Sequence, residues 1–448
     1  SVVISLALFG IGVGALFVYR TRGKGGRAAG NGAAGASSGG GEPGDGATGA
    51  GAAGGFAAAS LASGAAMALV SLFLAVYPYT DHLLIYTLLA AVPFLLFGWA
   101  LGIALTGLRG RTAYVYAADL GGAGAGVCLA VAVMNLWGGL AAMRFFALLA
   151  AAAGLFCLFA GGGVRLARRF WPVAAAALLP LALFVPGAVS GGGWLSLHPA
   201  DLKGVSPEKT LVGVLQADPG ARIVHTDWDA FARVDVVATS DPSRMMMFVD
   251  GGAGSYMYRF DGELESVSYL MEDIEFLPFA IRPIRSAAVV GAGGGRDVLY
   301  AMLAGARDIT AIEVSGGIVD AMRRFGEFNG HLADRAGITY VTGEGRHILE
   351  TAGAGYDAIV LDLVYSQTGG ARNQTLSENF VFTEEAFRLY MERLNAGGRI
   401  IVIAHHGLEG IRAYYTGLKS LMDARGLPAA EAARHTALLL APEGSKAP

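Results

Sequence analysis

The chain has 448 residues, 33 Lys and Arg against 36 Asp and Glu for a formal charge of −3, and 54% hydrophobic against 15% charged residues. So much apolar surface with so little positive charge excludes a disordered chain and a protein that coats nucleic acid. The charge is also uneven: residues 1–189 hold 10 basic and 4 acidic side chains and residues 190–448 hold 23 and 32, as expected of a membrane region joined to a water-soluble, mildly acidic one.

Six stretches are apolar over the roughly 20 residues that a helix needs to cross a bilayer: Val2 to Tyr19, Phe56 to Tyr79, Leu83 to Thr106, Tyr114 to Leu136, Ala141 to Gly161 and Trp171 to Val189. The first lacks a basic leader and a small-residue cleavage site, so it reads as a spanning helix rather than a signal peptide. Residues 20–55 contain 15 Gly and 9 Ala and read as a flexible linker. Arg20, Arg22, Lys24 and Arg27, then Arg109 and Arg111, then Arg165, Arg168 and Arg169 follow alternate spans, which puts those loops on the cytoplasmic side. The sixth stretch carries Pro172, Pro180 and Pro186; a full sixth crossing would place the remainder outside, and a re-entrant segment would keep it cytoplasmic. The expectation is an integral, multi-pass protein of the plasma membrane with a cytoplasmic soluble part. Asp119, in YAADLGGAGAG, is an acid within an apolar run and either contacts a transported species or pairs with Arg109 or Arg111. Gly122 and Gly126 read as helix packing. Cys128 and Cys157 lie in apolar runs and offer neither a disulfide framework nor a zinc cluster.

Residues 190–283 read as a connector and a small β-subdomain, with strands over RVDVVA (233–238) and 245–249 bounded by Asp-Pro and Asp-Gly-Gly turns. Trp228 and Phe231 are its expected core anchors. From residue 284 to 448 apolar strands alternate with helices, through AAVVG, ITAIEV, ITYVT, YDAIVLD and GRIIVIA, which predicts a parallel sheet covered on both faces. The first strand runs into GAGGGRD, with Gly291, Gly293 and Gly295. Glycine there permits a tight turn and close approach of a ligand at the start of a helix. Glu313 ends the second strand, where an acid accepts ribose hydroxyls. Glu344 follows the third and Asp362 ends the fourth, so the three acids are expected to line one crevice beyond the carboxyl ends of the strands, unless one of them simply caps a helix. His405 and His406 have no third ligand in the sequence pattern, and metal binding is not expected.

The stretch from about Arg233 to Ala441 resembles the spermidine synthase, or polyamine aminopropyltransferase, family: FVDGG at 248–252, then VVGAGGGRD, AIEVS, GEGR, LDL and LNAGGRIIVI stand in the family's order. With apolar spans ahead of it, the chain resembles the membrane-fused branch. The resemblance implies a Rossmann-like, methyltransferase-type domain after a small β-domain, and S-adenosylmethionine or its decarboxylated form as cofactor. It makes Glu313 the ribose-binding acid, Glu344 the acid near adenine and Asp362 the base that deprotonates the attacking amine. Asp250, Glu272 and Tyr365 stand at substrate-side positions, with Asp273 and Glu275 close by. Two departures bear on the acceptor: the acid usual in the glycine turn is replaced by Gly294, and a second acid beyond the catalytic one by Tyr365, so two partners of a cationic polyamine are missing. Residues 366–379 occupy the place of a gating loop.

The sequence therefore predicts a membrane-bound transferase that moves an aminopropyl or related alkyl group to a small-molecule or membrane-associated acceptor, with homodimerisation implied by the resemblance alone. Methyl transfer to a membrane substrate uses the same crevice. A non-catalytic nucleoside sensor governing a transport bundle is the reading from another class.

Overall fold

The computed structural model describes residues 45–77, 83–107, 112–160, 177–190, 209–229, 232–353, 355–362, 380–404 and 407–439. The chain divides into two compact units, Ser1–Val205 and Ser206–Pro448.

In the first unit, α1 (Asp45–Val76), α2 (Leu83–Gly107), α3 (Thr112–Trp137) and α4 (Gly139–Ala160) each contain a stretch long and apolar enough to cross a membrane. They match the second to fifth expected spans; the first lies outside the described residues. Residues 45–55, expected in the flexible linker, instead form the start of α1. The reason is packing. A Cβ on Gly107 would lie 2.7 Å from Ala52 Cβ and one on Gly55 would lie 3.3 Å from Ile103, so these glycines let α1 and α2 approach closely rather than loosening the chain. The α1–α4 contact works the same way. A Cβ on Gly64 would sit 2.6 Å from the Ala147 carbonyl oxygen, and one on Gly154 would sit 2.9 Å from that of Ala57. Gly122 and Gly126 of α3, by contrast, meet no atom within 4 Å among the described residues, so the expected packing role falls to other glycines. The described part of the sixth stretch is α5 (Leu178–Val189), 12 residues with Pro186 inside. At 1.5 Å per residue it is about 18 Å long, short of the roughly 30 Å hydrocarbon core.

The second unit opens with α6 (Thr210–Ala217), which lies on an antiparallel sheet of β1 (Arg222–Trp228), β2 (Arg233–Ala238), β3 (Arg244–Val249) and β4 (Ala253–Tyr258) in sequential order. Alternation sorts its two faces. Val237 and Phe248 pack with Leu211 of α6, while Val234, Val236, Met247 and Met257 merge with the core of the following sheet. Trp228 is half-buried with Arg233 stacked 5.7 Å from its ring, so these aliphatic residues and Phe248, rather than Trp228, anchor the subdomain; Phe231 lies outside the described residues.

The following sheet has the order β7-β6-β5-β8-β9, every pairing parallel. Its strands are β5 (Ser286–Val290), β6 (Asp308–Glu313), β7 (Ile338–Thr342), β8 (Tyr356–Asp362) and β9 (Leu394–Ile403). Ala287, Val289, Ile309, Ala311, Ala358 and Val360 face one core, and Ala288, Val290, Ile312, Ile359 and Leu361 face the other. Burial on both sides explains why the strands read as unbroken apolar runs. Helices α7 (Arg296–Leu303) and α8 (Gly316–Arg324) cover the first face. The second is covered by α9 (Gly345–Thr351), α10 (Glu384–Arg393) and α11 (Gly407–Arg425). The strand order reverses between β5 and β8, and the crevice of such a sheet opens beyond the carboxyl ends of those two strands.

Candidate functional site

The turn leaving β5 explains its own glycines. Gly291, Gly293 and Gly295 have φ of 76°, 48° and 89°, a region side chains rarely adopt. Its amides are satisfied in place: Gly291 and Ala292 donate to the Ile312 carbonyl, Gly293 to Glu313 Oε2 at 3.0 Å, Gly294 to Ser255 Oγ at 2.8 Å and Gly295 to the Ala292 carbonyl. Strand β4 thus lies directly on the turn. A Cβ at Gly294 would stand 2.1 Å from the Tyr256 carbonyl oxygen, which is the physical reason that no acid occupies this position.

Glu313, at the end of β6, is 6% exposed. Its Oε2 takes the Gly293 amide and its Oε1 takes the Ser315 amide at 3.1 Å. Burial pushes its carboxyl up, against the pull of these amides. A carboxylate has about four lone-pair sites; the Val314 amide acts on it as a third backbone donor, which leaves one for a hydroxyl. Asp229, which the sequence reading passed over, braces the same loop: its Oδ2 accepts from the Ser315 hydroxyl and the Gly317 amide at 3.1 and 2.9 Å.

Across the switch point Asp362 ends β8, and its Oδ2 receives Nη2 of Arg296 at 2.9 Å. Both side chains are nearly sequestered, 8% exposed for Arg296 and 10% for Asp362. Burial would pull the guanidinium down, but Asp362 and then Asp297 hold it above its ordinary value. Asp297 is buried. Burial first, then the Asp362 carboxylate and a hydrogen bond with it, push Asp297 well above the ordinary carboxylate range. Asp297 Oδ1 and Asp362 Oδ1 are buried oxygens without a hydrogen-bond donor among the described residues. Arg296 also stacks on the Tyr300 ring at 5.8 Å, and the Tyr300 hydroxyl donates to Asp273 Oδ2 at 2.7 Å. Burial and that hydrogen bond raise the phenol strongly. Glu275 adds a second negative neighbour to Asp297.

The structure therefore brings Gly291, Gly293, Gly295, Glu313 and Asp362 to one sheet edge. Glu344 stands at the same edge after β7, but both its oxygens cap α9, accepting the Arg346 and His347 amides at 3.0 and 2.8 Å. The helix-capping alternative is realised there. Asp250 belongs to the β3–β4 turn, where its Oδ1 accepts the Arg233 amide at 3.0 Å and its φ is 50°. Glu272 is exposed at the end of a 3-10 helix, and its neighbours Asp273 and Glu275 are the acids that face the Arg296 cluster. Tyr365, His405, His406 and residues 366–379 lie outside the described residues. The sequence reading missed Arg296 and Asp297 as site residues. Their signal was present in GGGRD: adjacent opposite charges opening a helix that must be buried to cover the sheet.

No protein-family model and no curated protein matches the chain. Among solved structures it is similar to a spermidine synthase in complex with the transition-state analogue AdoDATO and to the spermidine synthase from Thermotoga maritima. Each match has 17% identity and a TM-score of 0.33, covering 45% of this chain and 64% of the other. The chain thus spans less than two thirds of the length of these solved chains.

Proposed function

We propose that the Ser206–Pro448 unit is a Rossmann-like, spermidine synthase-like transferase that binds S-adenosylmethionine or its decarboxylated form. The observation that carries this reading is the Glu313 carboxylate drawn onto the Gly293 amide beside the β5–β8 switch point, with Asp362 at the end of β8. The residues present fit an adenosyl group: Glu313 keeps an acceptor position for a ribose hydroxyl, and Gly291, Gly293, Gly294 and Gly295 keep side chains off most of the turn. When bound, the sulfonium group supplies an electrophilic carbon. Asp362 takes the proton of the attacking nucleophile, because an ammonium has no lone pair until a positioned carboxylate removes one. Transfer to the nucleophile would break the carbon–sulfur bond and leave its electron pair on sulfur.

The same reading takes α1 to α4 as bilayer-crossing helices of a multi-pass membrane protein with this unit in the cytoplasm; reporter fusions at the loops between helices test the side. Methyl transfer is the second reading. It is favoured by the Arg296–Asp362 pair, which occupies the carboxylate that a polyamine ammonium would need.

Calorimetric titration of the purified protein with both sulfonium compounds tests the reading. Glu313→Ala should weaken binding roughly tenfold, the worth of one charge-assisted hydrogen bond, while Asp362→Asn should keep the cofactor and abolish turnover. Undiminished binding by Glu313→Ala, or no binding by the parent protein, overturns it.

A further inference from the structure

A buried arginine at the first turn of a helix opposes the helix dipole and loses its hydration, so Arg296 needs an anion beside it in every state of the protein. In the ligand-free chain that anion is Asp362. Yet Arg296 makes a single hydrogen bond among the described residues, from Nη2, and a guanidinium has five N–H donors arranged to grip a carboxylate with two of them. Among the described residues Asp362 meets it through one oxygen only, and its other oxygen is buried without a donor, with the buried Asp297 as its carboxyl neighbour. The pair is thus an incomplete version of the fork that arginine forms with a carboxylate, at the point where the acceptor of the proposed transfer meets Asp362.

We propose that the acceptor carries a carboxylate as well as its nucleophilic amine, and that this carboxylate takes over Arg296 and releases Asp362 to receive the amine proton. The incoming group is a carboxylate because it replaces one of the same size and charge. The exchange leaves Arg296 paired throughout. It also couples release of the base to arrival of the acceptor. Tyr300, stacked on the guanidinium and fixed by Asp273, keeps Arg296 in place during the exchange. The step balances as a substitution. The amine proton passes to Asp362, nitrogen bonds to carbon, and the carbon–sulfur pair returns to sulfur.

This deepens the transferase reading and rests on it for the role of Asp362. The test uses the full chain in detergent and measures binding by calorimetry for ω-amino acids of two to six carbons and for the diamines of matched length, at constant ionic strength. An ω-amino acid should bind and its matched diamine should not. Asp362→Asn removes the competing anion and should tighten a simple monocarboxylate of matched length, which brings no amine for Asp362 to meet, roughly tenfold, the worth of one charge-assisted hydrogen bond no longer displaced. Arg296→Gln should abolish that binding, and Arg296→Lys should restore part of it, which separates loss of the cation from a failure to fold. Diamine binding in preference to every ω-amino acid, or weaker monocarboxylate binding in Asp362→Asn, overturns the inference. Sulfonium titration of the same preparations is read separately. A protein that binds the cofactor and prefers diamines remains a transferase with another acceptor. One that binds ω-amino acids and no sulfonium compound overturns the transferase reading instead.

Discussion

Asp297 and Gly294 are the two residues whose surroundings make the sharpest demands. Because Asp297 holds its proton in the folded state above the ordinary carboxylate value of about 3.9, the native chain binds more protons than the unfolded one from about pH 4 upward. Stability from this group is complete below that value and falls as pH rises through the raised one, with a slope approaching about 1.4 kcal/mol per pH unit. Asp297→Asn, which keeps the shape and removes the titration, should flatten that decline. Urea unfolding at about pH 5 and about pH 8 measures it, and the variant should gain relative to the parent at the higher pH. Gly294→Asp, which would restore the acid usual in the glycine turn, places a Cβ 2.1 Å from the Tyr256 carbonyl oxygen. It should cost about 3 kcal/mol or more, because the obstacle is backbone that cannot step aside; the shift in the unfolding midpoint reports it.

At the level of elements, the parallel sheet was legible because its inner strands β5, β6 and β8 are buried on both faces, and β5 and β8 leave unbroken apolar runs, AAVV and AIVL. The glycine turn was legible because three positions need positive φ. Residues 45–55 were not, since glycine is a poor helix former that disfavours a helix by about 1 kcal/mol per residue, and only the neighbouring α2 supplies the reason for it. The same limit applies to α1 and α4. Gly64→Leu should prevent their close approach and lower the thermal unfolding temperature of the solubilised protein, whereas Gly122→Leu, with nothing within 4 Å among the described residues, should leave it unchanged. Glu344 illustrates a different ambiguity: an acid just beyond a strand end serves a ligand or begins the next helix, and composition does not distinguish the two. Glu344→Ala should cost about 1 kcal/mol through the lost cap of α9, seen in chemical denaturation without any ligand present. The Arg296–Asp362 pair escaped the sequence because its partners are 66 residues apart and only the β5–β8 crossover joins them.

On the scale of the whole chain, the two units differ in what buries their apolar surface. Ser206–Pro448 carries two continuous cores on either side of its parallel sheet, so expressed alone it should unfold cooperatively, as circular dichroism against temperature will show. Within it, Ser255 and the Tyr256 backbone are pressed on the glycine turn with no room for even a methyl group at Gly294. A nucleoside settling against that turn would therefore be felt through the small antiparallel sheet as well. Amide exchange along Ala253–Tyr258 should slow on saturation with cofactor even though the strand itself need never touch it, making this hairpin an intrinsic gauge of occupancy.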